Sequence, residues 1–173
     1  PIADLSYISK KEEHQLLVDF NKTIAPYPSN LSIPEVFEKR VQESPNAIAV
    51  EYEDRKLTYL ELHDLSNKFA QFITHRYKIT SNDTVGIQLD RDEWFIVAFL
   101  GVLKLGGVYV PIDPEFPEDK INFIKEDAGC VCCITKDELD TFIAIKDEID
   151  LSDFSVNRVT DPLAYIMYTS GSS

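Results

Sequence analysis

The chain has 173 residues, of which 44% are hydrophobic and 27% are charged, a balance typical of a single folded, soluble domain. Its formal net charge is −13. Nucleic-acid binding needs a basic surface, so we expect none here. The longest apolar run is about half of the roughly 20 residues that a membrane-spanning helix needs, so we expect no membrane segment either.

The cysteines and histidines give no pattern of a metal site or a catalytic site. Cys130, Cys132 and Cys133 are too close in the chain to pair with one another, and no second Cys or His cluster completes a zinc site. They lie in a short apolar run, which predicts buried, reduced thiols and fits a cytoplasmic protein. His63 and His75 have no partner pattern, and we expect both on the surface.

Three segments begin with Ser or Thr followed three residues later by Glu, the pattern that caps a helix N-terminus. They start at Ser9, Ser32 and Thr58. We therefore expect a short helix after Ser9, a helix over residues 33–43, and a long amphipathic helix from residue 58 to about residue 77. The alternating residues between the second and third helices predict a small β-hairpin.

From residue 84 onward, apolar strand patterns alternate with helix patterns. Strands are expected at 84–89, 108–112, 130–135 and 164–168, and helices at 92–105, 117–127 and 136–150. This alternation predicts an α/β fold with a parallel-rich sheet and helices on both faces. The helix at 92–105 is apolar nearly all round, so it should be among the most buried elements, and Gly101 should let a neighbour approach closely.

The chain ends in an apolar run followed by small residues. These are Thr169, Ser170, Gly171, Ser172 and Ser173. Hydroxyl groups donate hydrogen bonds to anions, and small side chains let backbone N–H groups reach a phosphate. In open α/β sheets, ligands bind beyond the carboxyl ends of strands, where this segment would lie. By composition alone, the segment also fits an ordinary polar surface loop.

Three stretches, in this order, resemble core motifs of the adenylation domains of nonribosomal peptide synthetases, which are adenylate-forming enzymes. They are Leu57-Thr-Tyr-Leu-Glu-Leu62, Leu103-Lys-Leu-Gly-Gly-Val-Tyr-Val-Pro-Ile-Asp113 and residues 163–172. The second is long and specific, although the family usually has Ala at the positions of Leu105 and Val108. The third resembles the opening of the ATP-phosphate loop, whose later Pro-Lys-Gly part would follow residue 173.

The resemblance implies the N-terminal part of the large subdomain of an adenylate-forming enzyme. Residues 1–30 are then a linker or arm with a short helix, and residues 31–173 are the N-terminal portion of an incomplete adenylation domain. We expect the rest of the domain, beyond residue 173, to supply the amino-acid pocket, the nucleotide-base contacts and the catalytic lysine. On this interpretation the chain carries no catalytic residue and no metal ligand of its own.

The resemblance also implies an activity for the complete domain. Such a domain uses ATP and Mg²⁺ to convert an amino acid to an aminoacyl-adenylate with release of pyrophosphate, and then passes the acyl group to the phosphopantetheine thiol of a peptidyl carrier protein. The segment from Thr169 to Ser173 would contact the ATP phosphates. We expect the isolated 173 residues to be inactive.

Other classes remain as alternatives. Acyl-CoA synthetases and stand-alone carrier-protein ligases share the phosphate loop, but the sequence of residues 104–113 favours the peptide synthetases. A P-loop NTPase needs G-x-x-x-x-G-K-[ST], which the sequence does not contain. A non-catalytic scaffold is the remaining alternative for the isolated chain.

Overall fold

We describe residues 8–152, 154 and 163–169 from a computed structural model. The chain divides into two compact units, Pro1–Asn30 and Leu31–Ser173. In the described part of the first unit, helix α1 (Lys10–His14) continues into a π-helical turn, Gln15–Asp19. No helix in the described ranges is both long enough and apolar enough to cross a membrane.

The three predicted capping boxes are confirmed. Ser9 caps α1, Ser32 caps α2 (Ile33–Glu43) and Thr58 caps α3 (Tyr59–Tyr77). In each box the hydroxyl accepts the N–H of the glutamate three residues later, and that glutamate's carboxylate accepts the N–H of the capping residue at 2.8 Å. Each box therefore satisfies two backbone N–H groups that the helix itself leaves unpaired.

The predicted hairpin is also confirmed, and it is tied to the rest of its unit by a buried charge. Strands β1 (Ile48–Tyr52) and β2 (Arg55–Thr58) pair antiparallel. At the turn between them, Arg55 Nη1 lies 2.7 Å from Glu93 Oε1. Glu93 is buried and is the first residue of helix α4 (Glu93–Lys104). The hairpin is thus held against that helix by a partly buried ion pair.

The second sheet has three parallel strands in the order β4-β3-β5. They are β3 (Thr84–Ile87), β4 (Val108–Pro111) and β5 (Cys132–Ile134). All three were predicted, and Pro111 ends β4, as expected of a residue that cannot donate to a strand ladder. Parallel pairing of successive strands requires a helical crossover between them, which the chain supplies twice.

The predicted strand at 164–168 is present only as an isolated parallel bridge between Tyr109 and Tyr165. The Tyr109 N–H donates to the Ala164 carbonyl at 3.0 Å, and the Ile166 N–H donates to the Tyr109 carbonyl at 2.9 Å. This short segment lies on the free edge of β4. These two hydrogen bonds hold the segment beside β4, but the pairing does not continue as a regular strand ladder.

Helices cover both faces of the parallel sheet, as predicted. Helix α4 (Glu93–Lys104) and helix α6 (Lys136–Ile145) pack with α3 on one face, and helix α5 (Glu118–Asp127) packs on the other. Eight of the twelve residues of α4 are buried, which confirms the expectation for this helix. Helix α6 is shorter than the predicted 136–150, because acidic residues after Ile145 disfavour the negative end of the helix dipole.

Helices α3 and α4 are in close contact at Gly101. A Cβ atom added to Gly101 would lie 2.8 Å from Cδ1 of the fully buried Phe69 and 3.2 Å from the Ser66 carbonyl oxygen. Real Cβ atoms do not approach a buried ring this closely. The predicted close approach at Gly101 is therefore confirmed, and α3 is the neighbour.

Replacing Gly101 by alanine should lower the free energy of unfolding by about 1–2 kcal/mol in urea titrations. Alanine is the better helix former by up to about 1 kcal/mol. Forcing a methyl group into a filled core costs roughly 1–3 kcal/mol, and here the methyl meets both a ring and backbone atoms. Asn122→Ala on the exposed face of α5 is the control and should change stability by less than about 0.5 kcal/mol. A Gly101→Ala protein as stable as the wild type would contradict the close contact.

Candidate functional site

A cleft of about 410 Å³ opens at the carboxyl edge of the parallel sheet. One wall follows β3 and the other follows β4, and Met167 and Tyr168, which come after the Tyr165 bridge, also line the cleft. The lining residues are Leu89, Asp90, Arg91, Phe95, Tyr109, Pro111, Ile112, Asp113, Pro114, Glu115, Phe116, Met167 and Tyr168. Its volume lies within the usual range of small-molecule sites, and its position is where open parallel sheets bind ligands.

The floor of the cleft is aromatic. The Tyr109 ring makes edge-to-face contacts with Phe95 at 5.9 Å and with Phe99 at 5.2 Å between ring centroids. Burial raises the pKa of Tyr109 to about 12, and the nearby Arg91 guanidinium only partly offsets this. Tyr109 is therefore a neutral hydroxyl at physiological pH, held rigidly by the two phenylalanines.

The charged groups of the cleft are mostly acidic. Asp90, Asp113 and Glu115 bring carboxylates, and Arg91 brings a permanent cation. The Asp113 carboxylate accepts the N–H of Glu115 at 2.9 Å, which closes a tight turn after β4. An anionic ligand here would be attracted by Arg91 and by backbone N–H groups, and it would need a cation to offset the carboxylates.

Of the five predicted phosphate-contacting residues, only Thr169 is described. It is exposed and directly follows Tyr168, which lines the cleft. Ser170, Gly171, Ser172 and Ser173 lie outside the described residues. The small-residue segment thus begins directly after a residue that lines the cleft.

Tyr168 ties this part of the chain to α5. Its hydroxyl donates to Asp127 Oδ2 at 2.5 Å, and its ring makes an edge-to-face contact with Phe123 at 6.3 Å. The hydrogen bond to Asp127 raises the pKa of Tyr168 to about 12. Sequence reasoning missed this pair, because Tyr168 and Asp127 are 41 positions apart and no local pattern links them.

Lys104, from the second resemblance motif, is fully buried and contacts the helix of the first motif. Its Nζ donates to Asn67 Oδ1 at 2.6 Å, to Ser66 Oγ at 2.8 Å and to the His63 carbonyl at 3.2 Å. The prediction of a surface His63 was wrong: the ring is half-buried beside Lys104, and Asn67 lies 3.0 Å from its Nε2. His75 is exposed, as predicted.

The three cysteines are unpaired and half-buried, which fits their interpretation as core residues. Burial raises the pKa of Cys130 to about 11 and that of Cys132 to about 12, and it also raises the pKa of Cys133. The thiols are therefore protonated and unreactive at physiological pH. Among the described residues, no group of three or more Asp, Glu, His and Cys side chains could hold a metal ion.

Replacing Asp127 by asparagine should lower the pKa of Tyr168 from about 12 toward the ordinary tyrosine value of about 10. The folded-state pKa is raised, so the stabilisation from this hydrogen bond is complete below pH ~10 and is lost as the pH rises through about 12. A ¹³C NMR titration of the tyrosine rings measures this, with Tyr168→Phe to assign the resonance. The control Asp119→Asn, on the same helix, should leave the midpoint of the Tyr168 titration unchanged. A Tyr168 that already titrates near pH ~10 in the wild type would refute the assignment.

Comparison with known proteins places the chain among enzymes that bind adenylate. The family profile described as AMP-binding enzyme matches residues 37–173. The chain is 36% identical to gramicidin S synthase 2 of Aneurinibacillus migulanus, and the match covers 99% of the chain but 4% of that protein. It is 38% identical to bacitracin synthase 3 of Bacillus licheniformis, covering 99% of the chain and 3% of that protein. The chain thus spans a small part of these relatives.

Solved structures agree in fold. An artificially fused adenylation–PCP di-domain, NpsA-ThdA from Klebsiella oxytoca, superposes with a TM-score of 0.73 at 25% identity, covering 82% of this chain and 29% of that one. VinN superposes with a TM-score of 0.72 at 21% identity, covering 83% of this chain and 43% of that one, and supports the fold alone. The family profile matches residues 37–173, which is well over half of the chain. The chain therefore belongs to the AMP-binding enzyme family.

Proposed function

We propose that the chain is part of an adenylation domain of nonribosomal peptide synthesis. The complete domain would join ATP and an amino acid into an aminoacyl-adenylate with release of pyrophosphate, and then load the aminoacyl group onto the phosphopantetheine thiol of a peptidyl carrier protein. The observation that carries this proposal is the cleft at the carboxyl edge of the sheet, whose lining residue Tyr168 directly precedes the small-residue segment. The similarity to the gramicidin S and bacitracin synthases supports the peptide-synthetase branch.

We assign the contacts with the ATP phosphates to the segment from Thr169 to Ser173. Its hydroxyls and backbone N–H groups suit oxyanions, because they donate hydrogen bonds and leave room for close approach. The bond from Tyr168 to Asp127 fixes the residue before this segment. Adenylation needs the amino-acid carboxylate in line with the α-phosphate, so fixing the phosphates is the contribution we assign to this part of the domain.

The residues present fit a magnesium ion only in a limited way. The described residues contain no side-chain cluster that would hold the ion alone. Mg²⁺ is commonly bound by one or two carboxylates together with phosphate oxygens, and Asp90, Asp113 and Glu115 line the cleft. The ion would neutralise phosphate charge beside these carboxylates, while Arg91 and the loop N–H groups bind the remaining oxygens.

The two units take different roles in this proposal. Residues 1–30 form a linker or arm, and residues 31–173 form the N-terminal portion of the domain. The remainder of the domain supplies the amino-acid pocket and the catalytic lysine. The reduced, half-buried cysteines are consistent with action in the cytoplasm.

Amino-acid-dependent exchange of labelled pyrophosphate into ATP tests the proposal. The 173-residue chain alone should show no exchange above background, since the acyl pocket and the catalytic lysine are missing from it. The same chain continued through the rest of the domain should exchange with one or a few amino acids and with no fatty acid.

Substitutions in the complete domain then test the loop assignment. Thr169→Ala and Ser170→Ala should each lower kcat/KM for ATP by roughly 10- to 100-fold, the scale of losing a hydrogen-bond donor to a developing charge. Thr141→Ala on α6 removes a hydroxyl of the same kind far from the cleft and should have no effect. Exchange driven by fatty acids and not by amino acids would instead assign the chain to the acyl-CoA synthetases or carrier-protein ligases. Robust exchange by the chain alone would contradict the assignment of the amino-acid pocket and the catalytic lysine to the remainder of the domain.

A further inference from the structure

We propose that Lys104 is a positioning residue for the cleft: its buried side chain holds α4 at one axial position on α3, and α4 in turn sets the distance between the two walls of the cleft. The relevance of this spacing to nucleotide rests on the proposed function. The spacing itself is a property of the chain alone and can be measured without nucleotide.

The contacts of Lys104 are suited to fixing a position. An ammonium group has three donors and no acceptor, and three acceptors surround it within little more than one turn of α3: the His63 carbonyl, Ser66 Oγ and Asn67 Oδ1. Ser66 is itself fully buried, and its hydroxyl donates to the same His63 carbonyl at 3.0 Å. Apolar helix faces can slide with little loss of contact. Three directional hydrogen bonds cannot survive a shift of about 1.5 Å, the rise of one helical residue.

Helix α4 links Lys104 to both walls. Phe95, in the first turn of α4, lines the cleft, and so does Arg91, two residues before the helix begins. At its end, only Leu105, Gly106 and Gly107 separate it from β4, whose last residue, Pro111, leads into the opposite wall.

The connection from α4 to β4 is short and is fixed by hydrogen bonds. Gly106 adopts a φ of 72°, its carbonyl accepts the Asn82 N–H at 2.8 Å, and the Gly107 N–H donates to the Val102 carbonyl at 3.1 Å. An axial shift of α4 would therefore move Phe95 and also strain the start of β4.

The hydrogen bonds that Lys104 donates can be weakened by raising the pH, without a mutation. Burial lowers the pKa of Lys104 to about 8, and the carboxylates of Glu38 on α2 and Asp64 on α3 only partly oppose this. The pKa of His63 is lowered by burial and by Lys104, so His63 titrates in a more acidic range. Raising the pH through 8 thus removes one of the three donors from Lys104.

An NMR titration of the 173-residue chain between pH 6 and 10 tests the proposal. We follow the Lys104 side chain by ¹³Cε and the cleft by the backbone amides of six lining residues: Arg91, Phe95, Ile112, Asp113, Glu115 and Phe116. The lysine should titrate near pH 8, two to three units below an exposed lysine, and the cleft amides should shift with the same midpoint. Lys104→Met should abolish these amide transitions. Lys39→Met, which removes an exposed lysine of α2, should leave them intact.

A lysine with a purely local structural role would shift only the amides that it touches. Cleft amides that stay constant while Lys104 titrates would therefore overturn the proposal, as would cleft transitions that persist in Lys104→Met. If Lys104→Met does not fold, Ser66→Ala gives the second test. It keeps the lysine, removes one acceptor of its charged form, and should move the midpoints of Lys104 and of the cleft amides together to lower pH. Failure of ATP binding would leave these results unchanged, so the two proposals fail separately.

Discussion

The contact between α3 and α4 is the constraint on which the rest of the second unit depends. Gly101 lets the two backbones approach to within van der Waals contact, and Lys104 adds three hydrogen bonds at the next turn. Helix α4 covers one face of the sheet, and its Glu93 forms an ion pair with Arg55 of the hairpin. The same helix supplies the Phe95 side chain to the cleft. A buried amine adds little net stability compared with an apolar residue, and we propose that the directional hydrogen bonds of Lys104 restrict the packing of α4 on α3 to one arrangement.

The cleft has an aromatic floor, and Thr169 directly follows Tyr168, one of its lining residues. Tyr109 is fixed by Phe95 and Phe99, while the segment beginning at Thr169 follows a tyrosine that is tethered to α5. The chain as a whole is strongly acidic, so a nucleotide is not drawn to it by net charge. In the proposed function, recognition of phosphate therefore depends on local donors, Arg91 and a metal ion.

Local signals in the sequence predicted much of this fold. The capping boxes, the hairpin and the β-α alternation depend on neighbours within a few residues, and all were found. The predicted strand at 164–168 forms only a bridge, since strand pairing depends on partners distant in the chain. His63 was misplaced for a similar reason: its burial follows from Lys104, which is 41 residues away. The cleft position followed from the general rule for parallel sheets, but the link between Tyr168 and Asp127 could be found only in three dimensions.

The central claim is that the carboxyl-edge cleft of this chain receives the phosphates of ATP. The most direct measurement is the change in backbone amide NMR shifts of the 173-residue chain on titration with ATP and Mg²⁺. We expect saturable shifts at Arg91, Ile112 and Thr169, with none in the groove between α3 and α6 near Gln71 and Ile145. Shifts confined to that groove, or no saturable shifts at millimolar nucleotide, would contradict the claim.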